Sequence, residues 1–118
     1  MKQWIILAFM TALICGFVNI AFAENQEFEI VNAAGSDFYD LKIRPSNSDN
    51  WGSNVLEKNS VLKDGNRITI SFSSYDANVE YWDILSHNCC NEELVWHKLR
   101  LNSIHTIILH DAGQAELN

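Results

Sequence analysis

Apolar and polar residues alternate in several short stretches of the chain, and turn-forming residues separate them. The clearest stretch is Arg67-Ile68-Thr69-Ile70-Ser71-Phe72, with Ile68, Ile70 and Phe72 on one face and Arg67, Thr69 and Ser71 on the other. A side-chain period of two is that of a half-buried β-strand. Glu27-Phe28-Glu29-Ile30 has the same pattern, as does Tyr39-Asp40-Leu41-Lys42-Ile43-Arg44, which runs into Pro45, a residue with no N–H to give to a sheet ladder. Val79 to Leu85, Leu94 to Leu101 and Ile104 to Leu109 are rich in β-branched and aromatic residues but alternate less cleanly. Such runs are expected of strands covered on both faces or interrupted by a bulge.

Ala34-Gly35-Ser36, Lys63-Asp64-Gly65-Asn66, Ser73-Ser74-Tyr75-Asp76, His87 to Asn91 and Asn102-Ser103 supply the turns. One segment, Ser46 to Leu62, does not alternate. Within it Asn54 to Lys58 predicts one helical turn, with Ser53 or Asn54 as its N-cap. The connections are too short for crossover helices, which favours antiparallel pairing. A lone sheet would leave its apolar face in water. The expected fold is therefore all-β: a small antiparallel β-sandwich of six to seven strands with one short helical insertion.

The N-terminus reads as a secretory signal. Lys2 gives a positive start, an apolar run extends from Trp4 to Ile20, and Ala21-Phe22-Ala23 fits the small-x-small cleavage rule before acidic Glu24 to Glu27. The expected organisation is a signal peptide over residues 1–23 and a single domain over 24–118, periplasmic or secreted, with no membrane attachment after cleavage. Loss of Lys2 would leave seven basic against fifteen acidic residues, a formal charge of about −8. Such a surface repels phosphate backbones and argues against nucleic-acid binding. It suits a basic protein partner or a cation.

The first half of the expected domain carries Phe28-x-Ile30-x-Asn32-x-x-Gly35-x-x-Phe38-x-x-Leu41-x-Ile43-x-Pro45-Ser46-x-Ser48-x-x-Trp51-Gly52-x-Asn54-x-Leu56. This pattern resembles a group of small exported bacterial proteins that share a strand, an Asn-x-x-Gly turn, a second strand and a Ser-x-x-Trp-Gly segment. Tyr81-Trp82-Asp83 and the Ser103 to Leu109 strand extend the likeness more loosely. The resemblance implies a β-sandwich and Trp51 in its core, and it implies no particular activity. Members often carry an acidic residue after Trp-Gly, where this chain has Ser53-Asn54.

Cys89-Cys90 is the most distinctive chemistry. Outside the reducing cytoplasm the pair has three options: a vicinal disulfide, two free thiols in a loop, or pairing between chains. Adjacent Cα atoms stand about 3.8 Å apart, closer than the about 4.4–6.8 Å that disulfides prefer. A vicinal bond would thus be strained and easily reduced, a property of redox sites. His87, Cys89, Cys90 and His97 are also candidate ligands for zinc or copper, with Glu92 and Glu93 nearby. The competing reading is a polar loop with cysteine as small filler. Ser46 to Asn50, joined by Asp76 or Asp83, is a thin calcium candidate set against an ordinary Asx/Ser turn.

No nucleophile elbow, HExxH helix or phosphate-binding glycine loop is present in the sequence. A Cys–His nucleophile using Cys89 or Cys90 with His97 or His105 is the only catalytic pairing to weigh. His105 and His110 read as surface residues, and Trp82 and Trp96 are open between core and binding surface. The sequence favours a binding module that contacts another protein, inhibitor- or immunity-like, over a metal or thiol-redox protein, and either over an enzyme.

Overall fold

The computed structural model describes residues 26–118; the expected signal segment lies outside them. Seven strands are formed: β1 (Gln26–Ala33), β2 (Lys42–Pro45), β3 (Arg67–Phe72), β4 (Trp82–His87), β5 (Glu93–Leu99), β6 (Thr106–His110) and β7 (Ala115–Leu117). They make two sheets, a four-stranded one in the order β3-β1-β6-β7 and a three-stranded one in the order β2-β4-β5. The fold is the expected β-sandwich.

Its core is the alternation made physical. Phe28 and Ile30 of β1, Ile70 and Phe72 of β3, and Ile107 and Leu109 of β6 turn inward from the larger sheet. Ile43, Trp82, Ile84 and Trp96 meet them from the smaller one. Across the gap Phe72 meets Trp82 edge-on at 5.2 Å, and Trp96 meets Phe38 at 5.5 Å. Each fully buried side chain of this size contributes about 1.5–3 kcal/mol. Trp82 and Trp96 are both about 1% exposed, which settles them in the core.

Four expectations are corrected. First, β1 and β6 run parallel, Ile30 beside Ile107, and the chain has crossed to the other sheet and back twice between them; the other four pairings are antiparallel. Second, no helical turn forms over 54–58. Asn54 instead turns its side chain onto the backbone, its Oδ1 accepting the N–H groups of Leu41 at 2.8 Å and Leu56 at 3.1 Å. This competes with helix formation, as Asn side chains do. The one helical turn among the described residues is the 3-10 turn Asp111–Gly113. Third, the second strand begins at Lys42 rather than Tyr39. Fourth, Trp51 lies outside the core, half-buried in the loop, with the Arg44 guanidinium 4.0 Å above its ring. Its neighbour Gly52 presses on the edge of β2, where a Cβ would stand 2.9 Å from the Ile43 carbonyl.

Candidate functional site

Three places on the sandwich hold chemistry. The first is the β4–β5 hairpin turn. Asn88 builds it, its Oδ1 accepting the N–H groups of Cys90 and Glu92, each at 3.0 Å. Both thiols are exposed, with Sγ atoms 3.2 Å apart. The shared hydrogen bond with Cys89 is the main cause that pushes the Cys90 thiol above its ordinary pKa; the Cys89 charge and Glu92 push the same way. Cys90 therefore does not have the depressed thiol of an activated nucleophile.

The structure does not gather the four candidate metal ligands. His87 Nδ1 lies 2.8 Å from Asp40 Oδ2, and its Nε2 faces Glu93 Oε2 at 3.6 Å. His97 lies further along β5, with Nδ1 3.4 Å from Asp83 Oδ2. His97 is four residue steps along the strand from Glu93, about 13 Å of rise. No group of three or more His, Cys, Asp or Glu side chains among the described residues is arranged to hold a metal ion. Of the calcium candidate, Asp83 does reach Ser46, whose Oγ donates to its Oδ1 at 2.7 Å, while the other groups serve their own turns. Asp76 accepts the N–H of Asn78 and Ser48 that of Asn50, each within its own turn. His105 is exposed, and half-buried His110 pairs with Glu116 at 2.7 Å.

The second place is a polar cluster on the outer face of the smaller sheet, centred on Asp83. This is the one buried carboxylate among the described residues, 3% exposed. Its Oδ1 accepts from Ser46 Oγ at 2.7 Å and from the Lys98 N–H at 3.0 Å. Arg44 Nε and His97 Nδ1 approach Oδ2, each at 3.4 Å. Burial by itself raises the Asp83 pKa. The bonds from Ser46, Lys98 and His97, with the His97 charge, outweigh burial and hold the carboxyl below its ordinary value. Ser46, the Lys98 N–H, Arg44 and His97 already take up both oxygens of this carboxylate, which makes the cluster a structural clasp.

The third place was not legible in the sequence. Tyr39 and Val61 are the two exposed large hydrophobic residues described, 47% and 37% accessible. The bridge between Phe38 and Leu62 is antiparallel, which sets Tyr39 across from Val61. Asp37 and Asp40 flank Phe38-Tyr39, and Lys58 and Lys63 flank the Val61 side. The Tyr39 N–H donates to the His87 carbonyl at 2.8 Å, so the patch adjoins the hairpin with Glu92, Glu93 and the thiols.

No family model matches the chain, and neither a curated protein nor a solved structure does. No helix among the described residues is long and apolar enough to cross a membrane.

Proposed function

We propose that this chain is an exported binding module, periplasmic or secreted, that contacts another protein through an acidic surface. An inhibitor or immunity-type role against a basic enzyme is its concrete form. The observation that supports this best is the Tyr39–Val61 pair: an exposed aromatic and an exposed aliphatic residue set across one bridge, with Asp37, Asp40, Glu92 and Glu93 on the Tyr39 side and Lys58 and Lys63 on the Val61 side. Exposed tyrosines anchor protein interfaces, and the carboxylates on the Tyr39 side steer a basic partner toward it. Thirteen of the fourteen carboxylates in residues 26–118 lie outside the core, so the chain's negative charge is displayed at its surface. Affinity capture from periplasmic extract tests the reading. The expected result is a basic protein held at low salt, released as salt rises and lost with Tyr39→Ala. Capture indifferent to both salt and the substitution contradicts it.

The 3.2 Å approach of the two Sγ atoms supports a second reading, a thiol-redox or soft-metal protein using Cys89 and Cys90. Two-electron oxidation by an exchanging disulfide would form the Cys89–Cys90 bond and release two protons to the reduced partner and solvent. Intact mass before and after reductant, with elemental analysis for zinc and copper, decides it. A chain two hydrogens lighter when oxidised, or one bound metal, supports this reading. Two free thiols under oxidant and no metal remove it.

A further inference from the structure

The outer strand of an open sheet presents a row of unpaired N–H and C=O groups, which another chain can extend unless something protects them. Here the outer strands are β3 and β7 of the larger sheet and β2 and β5 of the smaller. Three of them are protected. The loop after β2 folds back along its edge: Asn54 Oδ1 takes the Leu41 N–H, Val55 donates its N–H to the Leu41 carbonyl at 2.8 Å, and Gly52 sits against the Ile43 carbonyl. The Asp111–Gly113 turn lies along β5, with Gly113 against the Val95 carbonyl and the Trp96 indole N–H bonded to the His110 carbonyl at 2.9 Å. β7 is short, with only three residues.

β3 has six residues and no such cover. The Asn32 N–H donates to the Asn66 carbonyl and the Asn32 carbonyl accepts the Gly65 N–H, so the even-numbered residues of β1 face β3. Antiparallel pairing then turns the backbone groups of Ile68, Ile70 and Phe72 toward β1 and those of Arg67, Thr69 and Ser71 away from it. None of these outward N–H and C=O groups has a hydrogen-bond partner among the described residues. Trp51, Gly52 and Ser53 share a cleft of about 290 Å³ with Ser71, Ser73 and Ser74 but make no backbone bond to β3. No proline, lysine or bulge interrupts the strand either.

We propose that a second copy of this chain pairs with that edge, β3 against β3, antiparallel about a twofold axis at Thr69. Thr69 then stands opposite its own copy and Arg67 opposite Ser71, so each outward N–H meets an outward carbonyl. On the inner face Ile68, partly buried in the single chain, comes beside the copy's Ile70 and is covered. On the outer face the charges match. Glu27 is the β1 neighbour of Ser71, so the copy's Arg67 faces Glu27 across Ser71, twice around the axis. Both side chains are exposed. An axis at Arg67 would instead oppose two like charges. The Tyr39 surface takes no part, so either reading can fail without the other.

One strand pair is a small contact, so the test runs to high concentration. It is sedimentation equilibrium of the exported protein up to about 1 mM, at physiological salt and with reductant to keep Cys89 and Cys90 from linking copies. The mass should rise reversibly from one chain to two and no further, since each copy uses up its bare edge. Thr69→Lys sets two lysines opposite each other at the axis and should weaken the dimer at least tenfold. Arg67→Glu and Glu27→Arg should each weaken it similarly, and the two together should restore it. Within one chain Arg67 is paired to Val31, four residues from Glu27, so such rescue reports contact between copies. Denaturation midpoints close to that of the parent certify the fold of each variant. A single-chain mass throughout, a dimer indifferent to Thr69→Lys, or no rescue by the paired reversal overturns the proposal.

Discussion

Asp83 Oδ1 accepts the backbone N–H of Lys98 at 3.0 Å, and Lys98 is the one residue of β5 with a positive φ, +58°. The two facts are one device. The β4–β5 register slips between Trp82 and Ile84, leaving His97 and Lys98 both opposite Asp83. That is a β-bulge, which frees one N–H from the ladder. Asp83 satisfies it with a side-chain oxygen and is buried in doing so.

The clasp makes stability depend on acid in a calculable direction. The folded-state pKa of Asp83 lies below its unfolded value, so its contribution is complete above the usual aspartate pKa of about 3.9. It is lost as pH falls through the lower folded value. Asp83→Asn is expected to cost about 2 kcal/mol at pH 7, the scale of hydrogen bonds to a charged group. Denaturant titrations of both proteins from pH 7 to strong acid check this: the gap should be constant down to the aspartate range and shrink below it. The charged groups facing Asp83 are Arg44 and His97, so His97→Gln should narrow the gap without abolishing it.

Asn32 is fully buried and fastens two loops to β1. Its Nδ2 donates to the carbonyls of Ser36 at 2.7 Å and Leu62 at 2.9 Å, while Oδ1 accepts the Ala34 N–H at 3.0 Å. Asn32→Asp would aim a buried carboxylate oxygen at two carbonyl oxygens. The expected loss is about 3 kcal/mol, from unsatisfied acceptors and charge burial, measured as a lower denaturation midpoint with unchanged slope. Asn32→Ser should lose less, since it adds no charge.

The hairpin thiols share a hydrogen bond at 3.2 Å, and its effect is testable without assuming a redox role. The Cys89 thiol is the main cause of the raised Cys90 pKa. Cys89→Ala should therefore move the pH profile of Cys90 alkylation by iodoacetamide toward lower pH. An unmoved profile would place the cause elsewhere.

Strands β1 and β3 were legible because each has one wet face, so Phe28 and Ile30, or Ile70 and Phe72, stand out against polar neighbours. β4 was less so because five of its six residues are buried, Asp83 and Leu85 among them on the outer face. β7 alternates over only three residues, Ala115, Glu116 and Leu117, too short a run to read as a strand. The parallel β1–β6 pair joins segments far apart in sequence, beyond the reach of local pattern. The cysteines could be singled out, but the fates of His87 and His97 could not. They are taken by Asp40 and Asp83, carboxylates that only the fold brings to them. Tyr39 alternated correctly with Leu41 and Ile43, yet the chain bends before β2 begins and leaves it outside.

Photocrosslinking in exporting cells measures the proposed contact most directly. A benzophenone side chain placed at position 39 should trap one basic protein, while the same probe at Thr69, exposed on β3, should trap no basic protein. Equal trapping of a basic protein at both positions, or an acidic protein caught at position 39, would contradict the account.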